Sequence, residues 1–130
     1  MIGIVIVAHG GLAPELLKAT EHVVGRQDAI MAIPVAADDD RATRTQEICE
    51  AADVVDAGDG VILVADMYGG SPSNLSLRAC RPQNRRIITG VNLPMLIKLI
   101  KSRHLPVDEA VRRATETGRR YINSFDGVPE

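Results

Sequence analysis

A chain of 130 residues has the size of one compact domain, and 45% hydrophobic with 25% charged residues is a composition that fills a core rather than staying disordered. A net charge of −2 offers no electrostatic hold on nucleic acid, and two tyrosines with one phenylalanine leave almost nothing for bases to stack on. The first apolar run, residues 2–8, is too short for a membrane span and lacks the basic flank of a signal peptide, so a cytoplasmic protein is expected.

That first run is a continuous stretch of mostly β-branched residues, the mark of a strand buried on both faces in the middle of a sheet. Leu16, Thr20, Val23 and Val24 follow at helical spacing, with Pro14 suited to the first turn and Gly25 to the stop. Residues 29–35 form a second short apolar strand. Asp38, Asp39 and Asp40 then lead, as a helix start, into a stripe of Ile48, Ala51, Ala52 and Val55. Residues 60–65 are a third, all-apolar strand. Asp66 and a Gly-Gly turn come next, and a helix is expected from Ser71, with Pro72 in its first turn and Pro82 at its end. Residues 86–91 make a fourth strand, and Pro94 opens a helix carrying Leu96, Ile97 and Ile100. In the last helix the stripe Val107, Ala110, Val111, Ala114, Gly118, Tyr121, Ile122 and Phe125 keeps three-and-four spacing, so the helix is expected to cover the sheet through Phe125. Cys49 and Cys80 lack a C-x-x-C pattern and read as reduced core thiols; His22 and His104 read as solvated surface residues.

Apolar strands alternating with helices predict an α/β fold: an open, mainly parallel sheet of about four strands in the order 2-1-3-4, with helices on both faces. A single domain over residues 1–130 is expected, without internal repeat or linker. In that order the first and third strands are neighbours at the point where the winding reverses, which is where ligands of such sheets bind. His9 follows the first strand and Asp66 ends the third, so the topology brings them to one edge on strands about 4.8 Å apart.

This pair suits a phosphohistidine. A neutral imidazole has one lone-pair nitrogen able to attack phosphorus when the proton is held on the other nitrogen, and a carboxylate such as Asp66 can hold it there. The helix N-terminus expected at Ser71 offers free backbone N–H groups and a dipole worth roughly 0.3–1 kcal/mol to an incoming anion. Gly10, Gly11, Gly69 and Gly70 let backbone approach the phosphoryl oxygens, and Ser71 adds a hydroxyl. Taken singly each has a plainer reading: a polar residue after a strand, a turn cap, a glycine turn, a helix cap.

The segments Val7-Ala-His-Gly-Gly-Leu-Ala13, Asp66-Met-Tyr-Gly-Gly-Ser-Pro-Ser-Asn74 and Gly90-Val-Asn-Leu-Pro-Met95 resemble, in register over essentially the whole chain, the enzyme IIA component of the mannose family in the sugar phosphotransferase system. The resemblance implies a dimeric α/β domain with an edge element exchanged between subunits. It also implies a histidine that takes phosphoryl from the phosphocarrier HPr and passes it to an enzyme IIB domain, which alone would bring it near a membrane permease. By position His9 matches the phosphorylated histidine, Asp66 the aspartate that orients it and Ser71 a phosphate-side hydroxyl. Some members carry large aromatic residues where this chain has Gly11 and Tyr68, a difference that bears on partner preference.

Three other readings compete. A serine hydrolase built on Ser71 lacks the third glycine of G-x-S-x-G, and Pro72 has no N–H for an oxyanion. The strand-then-His-Gly opening also resembles tetrapyrrole metal chelatases, but one histidine with scattered aspartates is a poor ligand set. A purely regulatory protein could keep both fold and phosphorylation. No cofactor or metal is expected, and without a G-x-x-x-x-G-K-[ST] loop no nucleotide.

Overall fold

The computed structural model describes residues 1–67, 79 and 84–128. Four parallel strands lie in the order β2-β1-β3-β4, where β1 is Gly3–His9, β2 Ile30–Val35, β3 Val61–Ala65 and β4 Arg85–Thr89. The helices described are α1 (Leu12–Val24), α2 (Arg41–Val55), α3 (Leu93–Lys101) and α4 (Val107–Arg120). The sheet order is the one expected, and the continuous apolar runs are indeed its two central strands.

Alternate residues of those strands serve the two faces. Ile4, Ile6 and Ala8 of β1 and Ile62 and Val64 of β3 pack with Ala13 of α1, Met95, Leu96 and Leu99 of α3, and Ala110 and Ala114 of α4. Val5, Val7, Val61 and Leu63 pack on the other face with Ile48, Ala51, Ala52 and Val55 of α2. Gly3 has a structural reason: a Cβ there would lie 2.2 Å from the carbonyl oxygen of Val55, so only glycine lets the end of α2 press onto the start of β1.

Two arginines are consumed inside the fold. Arg103, 4% exposed, donates to the carbonyls of Ile2 (2.7 Å), Asp28 (2.8 Å) and Ala29 (2.9 Å), tying the loop after α3 to the amino ends of β1 and β2. Arg85, at the head of β4, pairs with Asp53 (2.7 Å) and Asp56 (3.2 Å) at the end of α2 and donates to Ala79 O (3.2 Å).

Several boundaries differ from the sequence reading. β2 starts at Ile30 because Ala29 takes a positive φ of 56°, outside strand geometry. His9 is the last residue of β1, paired with Val35, and does not follow the strand. The final helix ends at Arg120: Tyr121 caps it through its N–H, Asn123 donates to Arg120 O, and Tyr121, Ile122 and Phe125 are exposed and do not cover the sheet. The apolar stripe therefore overran its helix, because local bonding at the cap ended the repeat. Cys49 is half-buried, at the margin of the α2 core. His22 and His104 are exposed. Cys80 and the helix expected between Ser71 and Pro82 lie outside the described residues.

Candidate functional site

β1 is buried from end to end until its last residue, where the side chain of His9 emerges at 47% exposure. The chain then turns at Gly10, whose φ of +57° is strained for any side chain and whose N–H donates to Val35 O (2.9 Å). Gly10 thus has its N–H committed to β2, and its place in the site is conformational. Gly11 caps α1 with no side-chain bond.

Asp66 leaves β3 immediately after Ala65, which is in register with Val7. That register puts Asp66 level with Ala8, one residue short of His9 and within reach of it. Its Oδ2 lies 2.8 Å from His9 Nδ1 and also accepts the His9 backbone N–H at 3.1 Å. One oxygen therefore holds both the ring and the main chain of the histidine. The tautomer with hydrogen on Nδ1 gives both atoms of the 2.8 Å contact a partner, and Nε2 has no hydrogen bond among the described residues. Burial alone would push the Asp66 carboxyl up, but the hydrogen bonds from the His9 ring and backbone, with the attraction between the two side chains, outweigh it, and the group lies below its ordinary value. Asp66, with a side chain only 15% exposed, is thus a carboxylate at neutral pH.

Chemically the arrangement is an imidazole held by a largely buried anion at one nitrogen and, among the described residues, without a partner at the other. Such a ring can present a lone pair to an electrophile, and a negative charge behind it would steady a cation-like ring formed on attack.

Of the residues singled out from sequence, the structure brings His9, Asp66 and Gly10 together, while Ser71, Gly69 and Gly70 lie outside the described residues. The acidic run serves as a helix start: Asp40 caps α2 by accepting from Thr43 N, and Asp39 accepts from Ala36 N and Arg44. Among the described residues no group of three or more His, Cys, Asp or Glu side chains is placed to hold a metal, and no helix is long and apolar enough to cross a membrane. Leu12 and Met67, which follow Gly11 and Asp66 in sequence, are exposed.

Residues 3–115 match the family model EIIA-man, described as the PTS system fructose IIA component. The chain is 32% identical over 131 residues to the PTS system mannose-specific EIIAB component of Escherichia coli K12, covering 98% of this chain and 41% of that protein. The chain thus spans about two-fifths of the length of the first curated relatives it matches. Among solved structures, the mannose/sorbose specific IIA subunit of the phosphotransferase system from Enterococcus faecalis superposes with a TM-score of 0.86 at 26% identity, covering 99% of this chain and 97% of that one. The PTS IIA protein associated with the fucose utilization operon of Streptococcus pneumoniae gives 0.76 at 27% identity, with 93% and 96% covered. With the family model spanning most of its length, this chain belongs to the mannose-type IIA family of phosphotransferase-system components.

Proposed function

We propose that this chain is a phosphoryl carrier, a single IIA domain over residues 1–130 that accepts phosphoryl on Nε2 of His9 from HPr and delivers it to an enzyme IIB partner in the cytoplasm. The carrying observation is the 2.8 Å contact between His9 Nδ1 and Asp66 Oδ2, with the ring half-exposed at the end of the central strand. In the forward step the Nε2 lone pair attacks phosphorus, the bond from phosphorus to the donor breaks, and its electron pair returns to the donor. The ring, now carrying phosphoryl on Nε2 and hydrogen on Nδ1, is steadied by the Asp66 carboxylate. Delivery runs the same step in reverse toward the acceptor, with His9 Nε2 as leaving atom. The protein is thus a phosphotransferase component with a covalent intermediate and needs no cofactor of its own. Ser71, Gly69 and Gly70 enter this reading as phosphate-side groups on the resemblance alone.

The family membership, and relatives that belong to mannose and sorbose systems, support a role in sugar transport. A regulatory use of the same phosphorylated state is the alternative, and the site chemistry is common to both. A homodimer is part of the proposal. Ile122, Phe125 and Val128, exposed in the segment after α4, are apolar surface that a second copy would cover.

Incubation with phosphoenolpyruvate, enzyme I and HPr should add the mass of one phosphoryl group, lost in acid and kept in alkali, whereas ATP alone adds nothing. His9→Ala should abolish the modification while His22→Ala and His104→Ala retain it. An acid-stable product, or full labelling of His9→Ala, overturns the reading.

A further inference from the structure

We propose that Asn92 is a positioning residue for phosphoryl transfer, setting the aim of Asp66 on His9 through the turn that follows β4; the proposal rests on the carrier reading above. The hydrogen bonds that Asp66 Oδ2 accepts both come from His9, so they hold the carboxylate from the β1 side. On the β4 side the hold is on the main chain. The carbonyl of Ala65 belongs to the peptide unit that enters Asp66, and it accepts the Val91 N–H at 3.1 Å. Ala65 is in register with Thr89, so this bond lies just past the last paired residues of β3 and β4. Where Val91 sits therefore bears on how the peptide before Asp66 is turned, and with it on where the carboxylate points.

Asn92, the next residue, anchors that turn. Its Oδ1 accepts the Met95 N–H at 3.0 Å and caps α3, while its Nδ2 donates to Gly118 O at 3.0 Å in the last turn of α4. Its own carbonyl takes the Leu96 N–H at 3.2 Å. Gly118 belongs to the same contact: a Cβ there would lie 3.2 Å from Met95 Cβ and 3.3 Å from Asn92 Oδ1, so glycine lets α4 close on the amide. A helix cap needs only the bond to Met95, which serine or aspartate makes equally well. The bond to Gly118 needs an amide N–H in addition, and it ties the turn to a second helix. That requirement separates positioning from capping, and it gives the asparagine of the Gly90–Met95 segment a part in the site. The stake is large, because a misplacement of about 1 Å can cost roughly 100-fold in rate.

Asn92→Asp and Asn92→Ser keep an acceptor for the Met95 N–H and lose the donor to Gly118 O. Each should lower kcat for transfer from phosphorylated HPr about 5- to 30-fold and leave KM within about twofold of wild type, because the ring is mis-aimed while the surface a partner meets is unchanged. Dependence on Asp66 is the sharper readout. In an Asp66→Asn background Asn92→Ser should cost less than about twofold more, since the charge being aimed is already gone, whereas an independent structural defect would multiply the two losses. Nitrogen NMR of the His9 ring reads the aim without any transfer: hydrogen on Nδ1 in wild type, and a mixture of the two tautomers in both Asn92 variants. Arg103→Met is the control for lost stability alone and should keep the wild-type ring spectrum and, per folded molecule, the wild-type kcat. A wild-type kcat or a wild-type ring spectrum in both Asn92 variants, or losses that multiply with Asp66→Asn, overturns the proposal. Wild type left unlabelled by phosphorylated HPr defeats the carrier reading, and the ring spectra then decide on their own whether Asn92 positions the pair.

Discussion

At the amino ends of β1 and β2 the guanidinium of Arg103 is buried and spends its N–H groups on the carbonyls of Ile2, Asp28 and Ala29. At the carboxyl end of β1, half-exposed His9 spends one ring nitrogen on Asp66 and leaves the other without a partner among the described residues. Both are cationic or potentially cationic side chains at strand ends, tied by hydrogen bonds of similar length, yet one end is closed and the other open. The difference lies in what is left over. A polar group whose bonding capacity is used up inside the protein contributes to folding and specificity. One that is held firmly at a single atom, with a second atom unused, is oriented and still reactive. Desolvation marks the same contrast: burial pulls the Arg103 guanidinium below its ordinary value, only partly offset by the charge of Asp28, whereas Asp66 is held below its ordinary value by the bonds from His9 that outweigh burial.

The contrast can be broken most severely at the closed end. Arg103→Met should fill much of the same volume but take a donor from the carbonyls of Ile2, Asp28 and Ala29, of which Ala29 O keeps its bond from Ile4 N–H, and a loss of about 3 kcal/mol in unfolding free energy is expected, read by urea denaturation. Per folded molecule, labelling of His9 should survive. A variant as stable as wild type would mean that the carbonyls find water instead, and that the closed end is not closed.

At the open end Asp66→Asn should leave the fold near wild type while slowing transfer from phosphorylated HPr roughly 10–100-fold. An asparagine oxygen can still accept from the His9 backbone and ring, but the negative charge behind the imidazole is gone. Equal transfer rates would remove Asp66 from the mechanism.

The smallest effect sharpens the comparison through pH. The Asp66 pKa is lowered in the folded protein, so the unfolded chain binds its proton more readily, and this group's contribution is fully present above the ordinary carboxylate range and lost as pH falls below it. The melting-temperature gap between wild type and Asp66→Asn should therefore narrow as pH falls from about 5 toward 3. A gap that widens in acid would contradict the assigned direction.

By itself the sequence determined the architecture and the address of the site. The uninterrupted β-branched runs before His9 and Asp66 could satisfy water exclusion on both faces only as central strands, and central parallel strands deliver their carboxyl ends to one edge. Tertiary structure alone decided the rest. Register brought Asp66 level with the end of β1, and the fold set that Nδ1 is the ring nitrogen it meets and that the same oxygen takes the backbone N–H, details that side-chain type does not encode. It also decided that Arg103 and Arg85 turn inward, although an arginine in a loop or at a strand head reads like any surface charge; carbonyls and carboxylates from distant segments gather around them only once the chain is folded. The end of α4 escaped for the opposite reason: hydrophobic periodicity continues to Phe125, but the cap bonds at Tyr121 and Asn123 are made locally and stop the helix before its stripe is spent. Pattern reports what a segment buries, whereas hydrogen-bond pairing and register, which depend on what lies across from it, fix where it stops and which atom is left free to react.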